Sequence, residues 1–142
     1  MSQNKVRRIH HIGFVVSNLD ETLRVWEGLF QLKAEIKENP DLQVRLGSMV
    51  VGGVKFVFNE STTPGSRWDR FLAARGEGVE HIALEVTGID QACETARALG
   101  LEVRFAEHKP MYGSLSNFIE KDGLHAVTVE LMEPVEFGTM ET

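Results

Sequence analysis

The sequence predicts an α+β fold of two βαβββ modules related by a pseudo-twofold axis, with a curved mixed sheet inside and helices outside. Three observations lead there. First, a ten-residue phrase occurs twice. His11-Ile12-Gly13-Phe14-Val15-Val16-Ser17-Asn18-Leu19-Asp20 returns as His81-Ile82-Ala83-Leu84-Glu85-Val86-Thr87-Gly88-Ile89-Asp90, at an offset of 70 residues. Self-similarity at a fixed offset marks two copies of one supersecondary unit. Second, in each copy strand alternation passes directly into helical spacing. Third, the closing segments align as Phe56-Val57-Phe58-Asn59-Glu60 against Val129-Glu130-Leu131-Met132-Glu133, at an offset of 73.

The elements follow in order. Residues 8–16 alternate, with Ile12, Phe14 and Val16 on one face and His11, Gly13 and Val15 on the other. Asn18, with Glu21 three residues on, fits a helix start. Leu19, Leu23, Trp26 and Phe30 then recur at helical spacing, which predicts a helix over 19–30. Strands are expected over 33–37, 43–51 and 54–59, the last two joined by Gly52-Gly53, a hairpin signal. In the second copy a strand over 79–86 leads to a helix over 90–99, with Ile89, Cys93 and Ala96 inward and Gly100 as its stop. Strands over 101–106, 115–120 and 126–132 complete it, with a turn at Asp122-Gly123.

The 142 residues are read as one domain: module one over about 8–60, a connector over about 61–78, module two over about 79–134 and a loose tail at 135–142. The connector holds Pro64, several glycines and a short helical patch over 67–75.

Composition excludes several classes of function. A net charge of −6 with no Lys/Arg cluster argues against nucleic acid. A single cysteine, Cys93, rules out an intrachain disulfide and suits a reducing interior. No apolar run approaches a membrane span, and the polar, basic start is unlike a secretory signal, so a cytoplasmic protein is expected.

The repeat places one histidine at the same point of each copy. The closing strands add Val57 and Glu130, which alternation puts on the same face as His11 and His81. Glu130 stands among Val127, Val129 and Leu131, where a carboxylate without a cation is costly. The symmetric set is therefore His11, Val57, His81 and Glu130, with three of the four able to ligate. Two imidazoles and a carboxylate suit one divalent transition ion, with a position left open. His10 points to the other face, His108 and His125 fall in turn-like segments, and Cys93 reads as a small core residue. Glu85 shares the face of His81 and is read either as a group supporting the ligands or, by preference, as a solvated rim carboxylate. Lys55 and Asn59 share the face of Val57 and are candidates to contact an anionic substrate.

Residues 75–86, RGEGVEHIALEV, and 127–131, VTVEL, are similar to the central and closing metal-ligand segments of methylmalonyl-CoA epimerases. The whole of 9–134 resembles the vicinal oxygen chelate superfamily, which also includes glyoxalase I, fosfomycin- and bleomycin-resistance proteins and extradiol dioxygenases. The resemblance implies two βαβββ modules forming a metal cleft. It implies metal positions at His11, His81 and Glu130, Glu130 as catalytic base, and a homodimer. The chain departs from the epimerases at two positions. Val57 stands where they carry a fourth ligand, and Leu46 where they place a glutamate base. Epimerisation ordinarily uses two acid/base groups, and one is missing here.

Three functions stay open. One is a metal-dependent lyase or isomerase acting through a chelated enediolate, on a substrate with vicinal oxygens and with Fe, Zn, Ni, Co or Mn as the ion. Another is a non-haem Fe(II) oxygenase or dioxygenase, for which two histidines and one carboxylate are a suitable ligand set. The third is a non-catalytic small-molecule binding or resistance protein, which needs no such triad.

Overall fold

The computed structural model describes residues 5–124 and 127–135. Its strands and helices run β1 (Lys5–Val15), α1 (Leu19–Phe30), β2 (Glu35–Asn39), β3 (Val44–Val51), β4 (Val54–Ser61), α2 (Arg67–Arg75), β5 (Gly78–Thr87), α3 (Ile89–Ala98), β6 (Lys109–Met111), β7 (Ser114–Ile119) and β8 (Thr128–Pro134). This is βαβββ twice with a helix between. The chain divides into two compact units, residues 11–80 and the residues on either side of them. Strand β1 contributes its end to the first unit and its beginning to the second.

In the 11–80 unit the strand order is β2-β3-β4-β1. β4 runs parallel to β1, with His11 opposite Lys55 and Gly13 opposite Val57. β3 and β4 pair antiparallel through the Gly52-Gly53 turn, whose positive φ angles of 58° and 87° suit a two-residue hairpin. Helix α1 begins where the sequence predicts: the Asn18 side chain accepts from the Glu21 N–H at 3.0 Å. Leu19 and Leu23 bury its inner face against Met49 and Phe58, and Trp26 packs there with Phe14 and Phe56. The helix comes so close to β3 that a Cβ at Gly47 would lie 2.7 Å from Leu23 Cδ1. On the opposite sheet face, α2 brings Trp68 against Val15 and Val44, with Leu46 alongside. The predicted connector is thus a packed helix, capped by the Ser66 hydroxyl.

In the other unit the order is β5-β8-β7-β6, with the beginning of β1 beside β5. β5 and β8 are parallel, with His81 opposite Thr128 and Ala83 opposite Glu130. This register repeats that of β1 and β4 at the offsets of 70 and 73 read from the sequence, so Val57 and Glu130 are equivalent. Helix α3 packs Ile89, Cys93 and Ala96 with Val86 and Leu131. Its start differs instructively from that of α1. The repeat replaces Asn18 by Gly88, which has no side chain to cap, and Glu133 of β8 accepts from the Gly88 and Ile89 N–H groups instead, at 3.1 and 2.8 Å.

One predicted strand is corrected. Residues 101–106 alternate like a strand but make one isolated bridge, Val103 to Ile119, and β6 lies further on, at Lys109–Met111. The cause is Asn117, a fully buried residue of β7. Its Oδ1 accepts from the Phe105 and Phe118 N–H groups, and its Nδ2 donates to the Phe105 carbonyl and to His108 Nδ1. A side chain therefore replaces the ladder there, and residues 105–108 bulge around it. His108 is consequently no surface turn residue. Because Nδ1 accepts, Nε2 carries the hydrogen and donates to Asp90 at the start of α3, at 2.7 Å. His125 and most of the expected tail lie outside the described residues. Among the described residues no helix is long and apolar enough to cross a membrane.

Candidate metal centre

The site is built from strand alternation. In the β5–β8 unit, His81, Ala83 and Glu85 share one face with Thr128, Glu130 and Met132, and Leu131 turns to the helix-covered core. His81 and Glu130 are both buried, their side chains 10% and 7% exposed, and His81 Nε2 lies 3.4 Å from Glu130 Oε1. That is long for a hydrogen bond between them. It is, however, the spacing of two donors on one ion: bonds of about 2.0–2.2 Å at a tetrahedral angle put neighbouring ligand atoms roughly 3.3–3.6 Å apart.

Packing holds the pair in place. Phe118, opposite Glu130 in the β7–β8 register, meets the His81 ring edge-on at 6.1 Å between centroids. The Arg104 guanidinium lies 4.2 Å over the Phe118 ring and is itself held by two bonds to Glu120. Glu85, expected at a solvated rim, is instead largely covered and paired with Arg8 at 3.0 Å and Arg7 at 3.8 Å.

In the 11–80 unit, His11, Gly13 and Val15 share their face with Lys55, Val57 and Asn59 of β4 and with Leu46 and Ser48 of β3. His11 is half-buried and Lys55 exposed. Asn59 is 3% exposed, and its Nδ2 donates to the Phe14 and Val57 carbonyls at 3.0 and 3.5 Å. A cavity of about 500 Å³ in this unit is floored by Phe14, Trp26 and Phe58. Those side chains belong to the helix-covered face, so it lies on the side away from His11. At its rim the Ser17 N–H and hydroxyl both donate to Glu77 Oε2, which holds that carboxyl below its ordinary value. The Cys93 thiol is pushed up by burial, as suits a core residue.

The donors fit a divalent ion on a second count. Ser116, on the same face as Glu130, has a buried Oγ with no partner among the described residues. An orphaned hydroxyl beside a buried imidazole–carboxylate pair marks a place where further polar matter belongs. The sequence shows Ser116 but not its burial, and only the β7–β8 register reveals its position.

A model of the glyoxalase/bleomycin resistance protein/dioxygenase superfamily matches residues 10–119, and the chain belongs to that superfamily. The match agrees with the resemblance read from the sequence. A substituted form of Streptomyces coelicolor methylmalonyl-CoA epimerase, in complex with 2-nitronate-propionyl-CoA, is 26% identical. That likeness covers 93% of this chain and 100% of that one, with a TM-score of 0.79. A hypothetical protein from Bacillus halodurans is 25% identical over 97% and 99% of the two chains, with a TM-score of 0.81. Methylmalonyl-CoA epimerase from Mycobacterium tuberculosis shares the fold at 22% identity, covering 96% and 93%, with a TM-score of 0.79. No curated protein matches the chain.

Proposed function

We propose that the chain is a divalent-metal-dependent enzyme of the glyoxalase and epimerase type, a lyase or isomerase acting on a small molecule with vicinal oxygens. Its ligands are His11, His81 and Glu130, each offering one donor atom. The observation that carries this reading is the buried His81–Glu130 pair at 3.4 Å. The shared register of the two modules supports His11 as the third ligand, since it stands in β1 where His81 stands in β5. Bound there, the ion would polarise the substrate's oxygens as a Lewis acid and favour an enediolate.

The chain's own residues would then do the following. Glu130, shielded from water, is both ligand and base, taking the proton next to the substrate carbonyl. Val57 leaves the fourth position open. Lys55 contacts the negative charge of the substrate, and Asn59, with both Nδ2 hydrogens already used, keeps only its Oδ1 acceptor, which suits a substrate hydroxyl and not an anionic group. Leu46 removes the acid/base group that the epimerases place there, which favours a reaction with one proton-transfer group over racemisation at carbon. We further assign a homodimer, as the resemblance implies.

Val57 also favours a second reading, a non-haem iron oxygenase, because two histidines, one carboxylate and open positions are the set that chemistry uses. Elemental analysis of protein purified without chelator or metal-affinity tag separates the two. Iron together with oxygen consumption on a candidate substrate selects the oxygenase, and zinc, nickel, cobalt or manganese without oxygen uptake selects the lyase or isomerase. Protein free of any transition ion, and unable to take one up, would remove both.

A further inference from the structure

Ser116 sits in the middle of β7 with no exposed surface, and its Oγ has no hydrogen-bond partner among the described residues. A buried hydroxyl in that condition is destabilising. The fold itself does not demand it. Ser116 lies opposite Met132 of β8, as Leu46 of β3 lies opposite Asn59 of β4, and the two positions are equivalent in the two modules. One module fills the position with an apolar side chain, and the other places a hydroxyl there.

The position of that hydroxyl suggests its use. Glu130 is two residues from Met132 on β8, so Ser116 and Glu130 are diagonal neighbours on one sheet face. Such neighbours are about 7–8 Å apart, which leaves the two polar tips within reach of a shared water. The rest of that face near Ser116 is Met132 and Phe118 with Lys109 and Glu85, and none of them bonds the Oγ: Lys109 Nζ lies over the Phe105 ring at 5.3 Å, and Glu85 is paired with Arg7 and Arg8. A buried water needs two to four polar partners, and a hydroxyl with a carboxylate supplies them.

We propose that Ser116 is a positioning residue of the metal centre, its hydroxyl donating to a buried water that holds the Glu130 carboxylate in its ligating orientation. This rests on the metal reading above. Groups that orient a ligand in this way typically change metal affinity by about 10–100-fold when removed.

The test uses the full chain stripped of metal, titrated with Co²⁺ against a chromophoric chelator, with thermal unfolding of the metal-free protein alongside. Ser116→Ala is expected to bind Co²⁺ about 10–100-fold more weakly and to alter the visible spectrum of the bound ion. Its metal-free Tm should change little, because the bond lost is to a water and not to another protein group. Ser116→Thr, which keeps the hydroxyl, should bind nearly as the wild type does. Two results would overturn the proposal: Co²⁺ affinity and spectrum unchanged in Ser116→Ala, or a metal-free Tm that falls as for a broken internal hydrogen bond. Wild type that takes up no Co²⁺ would remove the metal reading and this proposal together. Uptake that His81→Ala weakens and Ser116→Ala does not would remove this proposal alone.

Discussion

Replacing Asn117 by alanine removes four hydrogen bonds at once. Oδ1 is the acceptor for the Phe105 and Phe118 N–H groups at 3.0 and 2.9 Å, and Nδ2 donates to the Phe105 carbonyl and to His108 Nδ1, both at 3.0 Å. The residue is fully buried, so water does not readily replace what is lost. An internal hydrogen bond contributes about 0.5–1.5 kcal/mol net, and an N–H stranded away from water costs about 1–3 kcal/mol. Local relaxation of the bulge recovers part of this, and we expect a loss of about 3 kcal/mol. For a chain of this size that lowers Tm by about 10 °C. Urea and thermal unfolding followed by circular dichroism measure it, and amide exchange at Phe105 and Phe118 should accelerate ahead of the rest of β7. His108→Ala removes one of the four bonds and should cost about 1 kcal/mol. A loss below about 1 kcal/mol in Asn117→Ala, with exchange at the two amides unchanged, would refute the view that this side chain stands in for the missing ladder.

Two further outcomes are expected. Val57→Glu places a carboxylate at the position equivalent to Glu130. It should tighten metal binding on the order of tenfold, about 1.4 kcal/mol, while suppressing any reaction that needs the open position; weaker binding in a titration would count against the assigned ligand set. Glu77 is held below its ordinary value of 4.5 by the Ser17 N–H and hydroxyl. A carboxyl depressed in the folded state contributes stability that is complete above its unfolded value and fades as pH falls through its folded value. Ser17→Ala should therefore move the Glu77 titration up toward 4.5 by NMR and bring acid unfolding to slightly higher pH, and an unmoved titration would show that the backbone N–H alone sets it.

The sequence was legible where one local rule decided the outcome. Asn18 with Glu21, followed by apolar residues at helical spacing, located α1 to the residue, and Gly52-Gly53 located the hairpin of the first module. The equivalence of Val57 and Glu130 was readable because the repeat survives at constant offsets, and the parallel registers of β1–β4 and β5–β8 repeat it. It failed where tertiary structure overrode the pattern. Leu101, Val103 and Phe105 alternate as a strand would, but after the short pairing of 102 and 104 with 118 and 120 Asn117 takes the Phe105 N–H and carbonyl that further pairing would need. The hairpin between β6 and β7 turns on Tyr112 and Gly113, both at positive φ, and tyrosine there is no turn signal. Pro110 disguised β6, which tolerates proline as the edge strand of its sheet. His108 looked like a loop residue because its partners, Asp90 and Asn117, are distant in sequence. Ser116 is one serine among several until its burial and register are known.

We propose that His11, His81 and Glu130 together hold one divalent ion. The most direct measurement is Zn²⁺ or Co²⁺ titration of metal-stripped wild type, His11→Ala and His10→Ala, since the two histidines are adjacent and alternate across β1. We expect one ion per chain in wild type, binding abolished in His11→Ala and nearly intact in His10→Ala. Equal affinity in wild type and His11→Ala would contradict the claim and bring the non-catalytic binding protein to the front.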